Sequence, residues 1–124
     1  MHLPPGPRLP LFAYGSLVDE AFVGRLLERS VTAVSARLLD FELLEIEGMP
    51  VPTVFEAVGE VVDGRLYRDL EPTEYQRLDA YEGVHEGLYT RITARVVAAD
   101  REGGTEPSFV YVATERTLRR YGAL

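Results

Sequence analysis

The sequence has no cysteine and no tryptophan, and only two histidines and two methionines. Without cysteine there is no disulfide framework, no thiolate nucleophile and no thiolate-bound zinc, which fits a reducing cytoplasm; a cytoplasmic protein is expected. No stretch approaches the roughly 18 uninterrupted apolar residues of a membrane helix, so a water-soluble chain with no membrane partner is expected. Basic residues are outnumbered, 13 against 20 acidic, for a formal charge of −7. Nonspecific nucleic-acid affinity comes from cationic side chains that displace counterions, so nucleic acid is not expected as a partner. There is also no internal repeat and no polar linker.

What is present is the composition of an ordinary globular protein, 46% hydrophobic and 27% charged over 124 residues. A chain of this length buries roughly two-thirds of its unfolded surface and folds alone. Met1 to Pro7 contains three prolines and a glycine, and lacks the basic start and apolar run of a secretory signal. Residues 1–8 are read as a flexible arm and 9–124 as a single domain. A monomer is favoured, although no motif reports oligomeric state.

The apolar run Leu9 to Tyr14 breaks at Gly15, as a buried strand entering a turn does. Val18, Phe22, Val23, Leu26 and Leu27 recur at helical spacing with Asp19, Glu20, Arg25 and Glu28 opposite, so an amphipathic helix follows. Val31 to Ile46 reads as one or two strands, and Gly48-Met49-Pro50-Val51-Pro52 as a loop. Val54 to Tyr67 is β-rich, punctuated by Gly59 and by Asp63-Gly64, the latter a pair suited to a tight turn or bulge. Glu71-Pro72-Thr73-Glu74 opens a second helix that Gly83 ends. Alternation from Tyr89 to Ala99, the turn Asp100 to Gly104, and Phe109 to Val112 form a hairpin. Strands outnumber helices, so an α+β fold is expected: a mixed sheet or small barrel with two helices packed outside.

Three places in this order carry candidate chemistry. Tyr14-Gly15-Ser16-Leu17 lies between a strand and a helix start, where free backbone N–H groups favour an anion or a developing oxyanion; the plainer reading is a tight turn with Ser16 capping the helix. Glu82 is in the last turn of a helix, where the dipole, with Asp79 and Glu86 nearby, raises a carboxyl pKa towards general acid/base use; the plainer reading is a solvated surface glutamate. Tyr89 can donate to a substrate or pack as a strand aromatic. Arg91 can bind a carboxylate bidentately or neutralise the nearby Asp79, Glu82 and Glu86, and the structural role is the plainer reading. A Ser16-His85-Asp79 hydrolase ranks low, because Ser16 lacks the Gly-x-Ser-x-Gly elbow. His85-Glu86 lacks a further ligand at metal-binding spacing, so no metal or other cofactor is expected.

Taken in order, Leu11-Phe12-Ala13-Tyr14-Gly15-Ser16-Leu17, Gly64-Arg65-Leu66-Tyr67, Leu78-Asp79-Ala80-Tyr81-Glu82-Gly83 and Tyr89-Thr90-Arg91 resemble the successive signatures of the γ-glutamylcyclotransferase-like family, in its γ-glutamylamine cyclotransferase type. The resemblance covers roughly residues 9 to 113. It implies a small mixed β-barrel flanked by helices and a small-molecule γ-glutamyl substrate. It also implies that Tyr14, Gly15, Ser16 and Leu17 hold the γ-glutamyl group, that Glu82 is the catalytic acid/base, and that Tyr89 contacts substrate.

The implied reaction needs no external nucleophile: the α-amine of the substrate attacks its own γ-carbonyl and releases 5-oxoproline and a free amine. A non-catalytic small-molecule binding module on the same fold is the alternative, and a biosynthetic enzyme trimming a γ-glutamyl protecting group is a third reading. The leaving amine would lie against Met49, Pro50 and Val51 or against Glu86 and Gly87, and no motif names it.

Overall fold

Strand β1 (Leu11–Ala13) is three residues long and buried throughout, which is why its sequence shows no polar alternation. It lies antiparallel to β3 (Thr53–Tyr67) and parallel to β5 (Glu106–Ala113). The ladder continues from β3 to β2 (Ala33–Leu44), from β2 to β4 (Tyr89–Ala98) over Ala36–Leu38, and from β4 to β5, all antiparallel. The sheet closes in the order β1-β3-β2-β4-β5, giving the small mixed barrel expected. This computed structural model of the chain describes residues 8–124. The expected arm, residues 1–8, lies outside them except for Arg8, which pairs with Glu71 at 3.2 Å.

Alternation along β1 separates two apolar cores. Phe12 joins Leu38, Val62, Leu66, Val96 and Val110 inside the barrel. Leu11 and Ala13 face the other way, onto Val23 and Leu27 of α1 (Glu20–Leu27) and Tyr75 and Leu78 of α2 (Pro72–Tyr81). Burial of this kind stabilises by about 1.5–3 kcal/mol per large side chain, and it pins the start and end of the site loop between barrel and helices.

Four details differ from expectation. Val18 does not begin the first helix: Ser16–Val18 is a 3-10 turn, and Asp19 caps α1, its Oδ1 accepting from the Ala21 and Phe22 amides at 2.9 and 3.3 Å. Asp63-Gly64 is not a turn, because both residues lie inside the continuous β2–β3 ladder opposite Arg37 and Ala36. The irregularity sits at Gly59, where the register shifts opposite Asp40 and the Asp40 carboxylate accepts from the Gly59 amide at 2.9 Å. Finally there are three α-helices among the described residues, not two. The third, α3 (Glu115–Arg120), is capped by Thr114, whose Oγ1 accepts from the Thr117 amide at 3.2 Å. No helix among the described residues is long and apolar enough to cross a membrane.

Candidate functional site

The 3-10 turn after β1 leaves its first amides free, as helix starts do. Val18 and Asp19 donate to the carbonyls of Gly15 and Ser16, whereas the N–H groups of Gly15, Ser16 and Leu17 reach no protein acceptor among the described residues. Three hydroxyl hydrogen bonds hold this loop. Tyr67 donates to the Leu17 carbonyl at 2.7 Å, Tyr14 donates to the Tyr111 carbonyl at 2.5 Å, and the Ser16 and Tyr81 hydroxyls pair at 3.0 Å. Gly64 lets β3 approach from below: a Cβ there would lie 2.3 Å from the Ala13 carbonyl oxygen and 2.5 Å from the Phe12 ring.

Helix α2 delivers Glu82 as its C-terminal cap residue. Its carboxylate makes no hydrogen bond to a protein group among the described residues, and burial raises its pKa to about 7. The cause differs from the expected one. Neither the helix end nor the charges of Asp79 and Glu86 account for the shift; lost solvation does, and Asp79 is occupied elsewhere.

Glu82 opens onto a cavity of about 270 Å³ lined by Phe12 to Leu17, by Pro50, Val51 and Pro52, by Tyr81, and by Leu88, Tyr89 and Tyr111. All six residues singled out in the sequence, Tyr14, Gly15, Ser16, Leu17, Glu82 and Tyr89, are therefore on one pocket wall or another. Burial pushes the phenols of Tyr14, Tyr89 and Tyr111 above their ordinary range, with the Glu82 charge adding to each. They stay protonated at neutral pH, so Glu82 is the lining group whose charge changes there. The pocket thus combines free amide donors, neutral phenols and one poised carboxylate inside mostly apolar walls, a set suited to binding a polar acyl group and moving protons.

The profile of the family described as "Gamma-glutamyl cyclotransferase, AIG2-like" matches residues 11–122. The chain belongs to this family. It is 28% identical to "Protein AIG2 C" of Arabidopsis thaliana over 112 residues, 90% of this chain and 66% of that protein. Among solved structures, one called "Gamma-glutamyl cyclotransferase" superposes with a TM-score of 0.72 at 25% identity, covering 86% of this chain and 66% of the other. A solution structure from Arabidopsis thaliana superposes with a TM-score of 0.77 at 25% identity, covering 99% of this chain and 73% of that one. The chain spans from about half to about two-thirds of the length of the curated relatives it matches.

In this member of the γ-glutamyl cyclotransferase-like, AIG2-like family each signature segment has a visible job. Gly64 and Tyr67 of the Gly64-Arg65-Leu66-Tyr67 stretch support the loop, and Arg65 pairs at 2.9 Å with Glu20, whose other oxygen accepts from the Ala33 amide at 2.7 Å. Asp79 accepts from the Tyr111 hydroxyl at 2.6 Å and pairs with Arg91 at 3.4 Å. The Arg91 guanidinium is stacked between the Tyr75 and Phe109 rings, 4.4 Å from each centroid. Arg91 therefore neutralises Asp79 alone of the three carboxylates considered, and it does not line the pocket. Ser16, His85 and Asp79 are not assembled: Ser16 meets Tyr81, Asp79 meets Tyr111 and Arg91, and His85 is exposed. Among the described residues no group of three or more His, Cys, Asp or Glu side chains could hold a metal ion.

Sequence reasoning missed Tyr81 and Tyr111. Tyr81 falls on the apolar spacing of α2 with Tyr75 and Leu78, yet it is 43% exposed and turns to the loop instead of the core. Tyr111 reads as a strand aromatic, and nothing in a two-residue period distinguishes a wall of the barrel from the floor of a pocket. Of the residues expected near the leaving group, Pro50 and Val51 line the pocket; Met49, Glu86 and Gly87 do not. Helix α3 bears on the same region, because Thr114 and Thr117 donate to the Gly87 and Leu88 carbonyls at 2.6 and 2.7 Å and so hold Leu88 in place. The Thr114-x-x-Thr117 spacing with Arg119-Arg120 ahead of Gly122 was the available signal for that helix.

Proposed function

We propose that the chain is a cyclotransferase that cleaves a γ-glutamyl amide and releases 5-oxoproline and a free amine. The observation that carries this reading is Glu82: a carboxylate without a partner among the described residues, poised near neutrality by burial, on the same cavity as the Gly15, Ser16 and Leu17 amides, which reach no acceptor among those residues. In the reaction the substrate α-amine attacks its own γ-carbonyl carbon and closes a five-membered ring. Glu82 takes the proton from the attacking nitrogen and returns it to the departing one as the carbon–nitrogen bond breaks. The loop amides stabilise the oxyanion, and Tyr89 donates to the substrate.

Magnitudes make this sufficient without a covalent nucleophile. A well-oriented intramolecular attack reaches an effective molarity on the order of 10⁵ M or more. Positioned proton transfer adds about 10²–10⁴-fold, and each well-aimed oxyanion donor about 10²–10³-fold. The absence of cysteine and of an assembled serine triad is consistent with such a route.

Mass-spectrometric detection of 5-oxoproline tests the proposal. Wild-type and Glu82→Gln protein would be incubated with γ-glutamyl amines, γ-glutamyl amino acids and glutathione. Product from wild type, with Glu82→Gln slowed by at least about 10²-fold, is expected. Equal turnover by a folded Glu82→Gln protein would remove Glu82 from the mechanism. Binding of the γ-glutamyl compounds without product would make the chain a binding module.

A further inference from the structure

We propose that Arg91 is a positioning residue for Glu82: acting through Asp79 and Tyr111, it fixes the end of α2 against the barrel and so aims a carboxylate that has no hydrogen bond of its own among the described residues. The inference rests on the cyclotransferase reading and adds to its machinery a residue outside the cavity.

Glu82 needs a hold from elsewhere. As the C-terminal cap residue of α2, it points where the last turn of that helix places it. Among the described residues, the hydrogen bonds from α2 to the strands of the barrel all end on one side chain, Asp79, three residues earlier. Its Oδ1 accepts from the Tyr111 hydroxyl at 2.6 Å, and its Oδ2 accepts from Nη2 of Arg91 at 3.4 Å.

Arg91 suits this place by shape as well as charge. Its guanidinium carbon lies 4.4 Å from the ring centroids of both Tyr75 on α2 and Phe109 on β5, and those rings meet edge-on at 5.3 Å. A flat cation packs into the corner the rings make and still offers a fork to a carboxylate, which an ammonium does not. Tyr75 is anchored in turn, its hydroxyl donating to the Leu9 carbonyl at 2.7 Å ahead of β1. One cation of β4 therefore joins two turns of α2 to β5. Tyr111 carries the hold to the other half of the site, because it lines the cavity and its carbonyl accepts from the Tyr14 hydroxyl, one residue before the loop amides.

The same pair sets the charge around Glu82. The phenols of Tyr14, of Tyr89 on β4 and of Tyr111 on β5 face it from the packed elements and stay protonated at neutral pH. On its own segment, Asp79 is mostly buried, whereas His85 and Glu86 are exposed; from α3, Arg116 reaches the Glu86 carbonyl at 3.4 Å. Asp79 is thus the screened-from-water anion beside Glu82, and Arg91 is its counter-ion. Without Arg91, the Asp79 charge would oppose ionisation of Glu82 and push its pKa up.

Arg91→Met, which keeps the apolar stem and deletes the cation, tests this together with Arg91→Lys, Asp79→Asn and the double variant Arg91→Met/Asp79→Asn. Each is assayed by 5-oxoproline release from whichever of the γ-glutamyl amines, γ-glutamyl amino acids and glutathione wild type turns over fastest, below its own melting temperature. In Arg91→Met, kcat should fall at least about tenfold with KM within about threefold of wild type. The acid limb of kcat/KM should move to higher pH by at least about half a unit. The double variant should return the limb to its wild-type position without restoring kcat. Arg91→Lys, which keeps the charge and loses the plane, should leave the limb in place and still lower kcat. Wild-type kcat in folded Arg91→Met would overturn the inference and leave the cyclotransferase reading standing. A lowered kcat with the acid limb unmoved would reduce Arg91 to a structural part. Should Arg91→Met not fold, unchanged kcat in Asp79→Asn, which keeps the side-chain shape, would equally overturn the inference. No product from wild type with any compound would remove the cyclotransferase reading and the inference with it.

Discussion

The hydroxyls of Ser16 and Tyr81 lie 3.0 Å apart and tie the amide-bearing loop to the end of α2, one residue before Glu82. The Tyr81 ring is itself held edge-on by Phe22 of α1, with centroids 5.2 Å apart. One side chain thus links the proposed oxyanion donors to the proposed acid/base. Tyr81→Phe keeps the ring and deletes the link. Because the pair is exposed, its contribution to stability is small, and a melting temperature within about 2 °C of wild type is expected. The expected loss is in kcat, about three- to tenfold, the size of one modest hydrogen bond. A Tyr81→Phe protein with unchanged kcat and KM would show that the loop holds its geometry without this bond.

Asp19, not Ser16, caps α1, and the two are separable by mutation. Asp19→Ala removes the acceptor of the Ala21 and Phe22 amides and should cost about 1 kcal/mol. Ser16→Ala should cost little in denaturant midpoint and act on turnover instead. Chemical denaturation of both variants decides the assignment, and a larger stability loss for Ser16→Ala would reverse it.

Much of this architecture is legible in the sequence because its signals are local. The strand-turn-helix at the start, the Pro72 opening and the β4–β5 alternation each follow from neighbours within a few residues. The pocket was legible only as separate pieces. Glu82 and the Tyr14–Leu17 loop are 65 residues or more apart in sequence, and only closure of β1 against β3 and β5 brings them onto one cavity. Likewise the cause of the Glu82 shift could not be read from the helix end. Burial depends on Pro50–Pro52, Leu88 and Tyr89, contributed by elements distant in the chain. Gly64 was misread for a related reason: a glycine that permits a close approach looks the same in sequence as one that permits a turn.

Gly64→Ala tests that last point. The added methyl would meet the Ala13 carbonyl and the Phe12 ring at distances no real Cβ tolerates, so β1 or β3 has to move. Overpacking of this kind costs about 1–3 kcal/mol, and a melting temperature lower by roughly 5–15 °C is expected. Since Phe12 and Ala13 lead into the loop, turnover should fall as well. A Gly64→Ala protein as stable as wild type would show that the two strands can separate freely at this point.

The pH dependence of activity and that of stability should run in opposite directions through Glu82. As the base, Glu82 must be ionised, so kcat/KM is expected to fall below a midpoint near its pKa of about 7. Stability behaves otherwise. The folded-state pKa is raised above the ordinary carboxylate value of 4.5, so the unfolded chain ionises first as pH increases. Folding is then progressively opposed between about pH 4.5 and about 7, and the full cost of holding an unpaired buried carboxylate is present above that window. Glu82→Gln removes the titration. It should be more stable than wild type at pH 8, by on the order of 1 kcal/mol or about 4 °C in Tm, and this advantage should vanish by about pH 4.5. Thermal melts of the two proteins across this range check the sign directly. Parallel stability curves would mean that Glu82 is solvated in the folded chain, and the acid limb of the rate profile would then need another group.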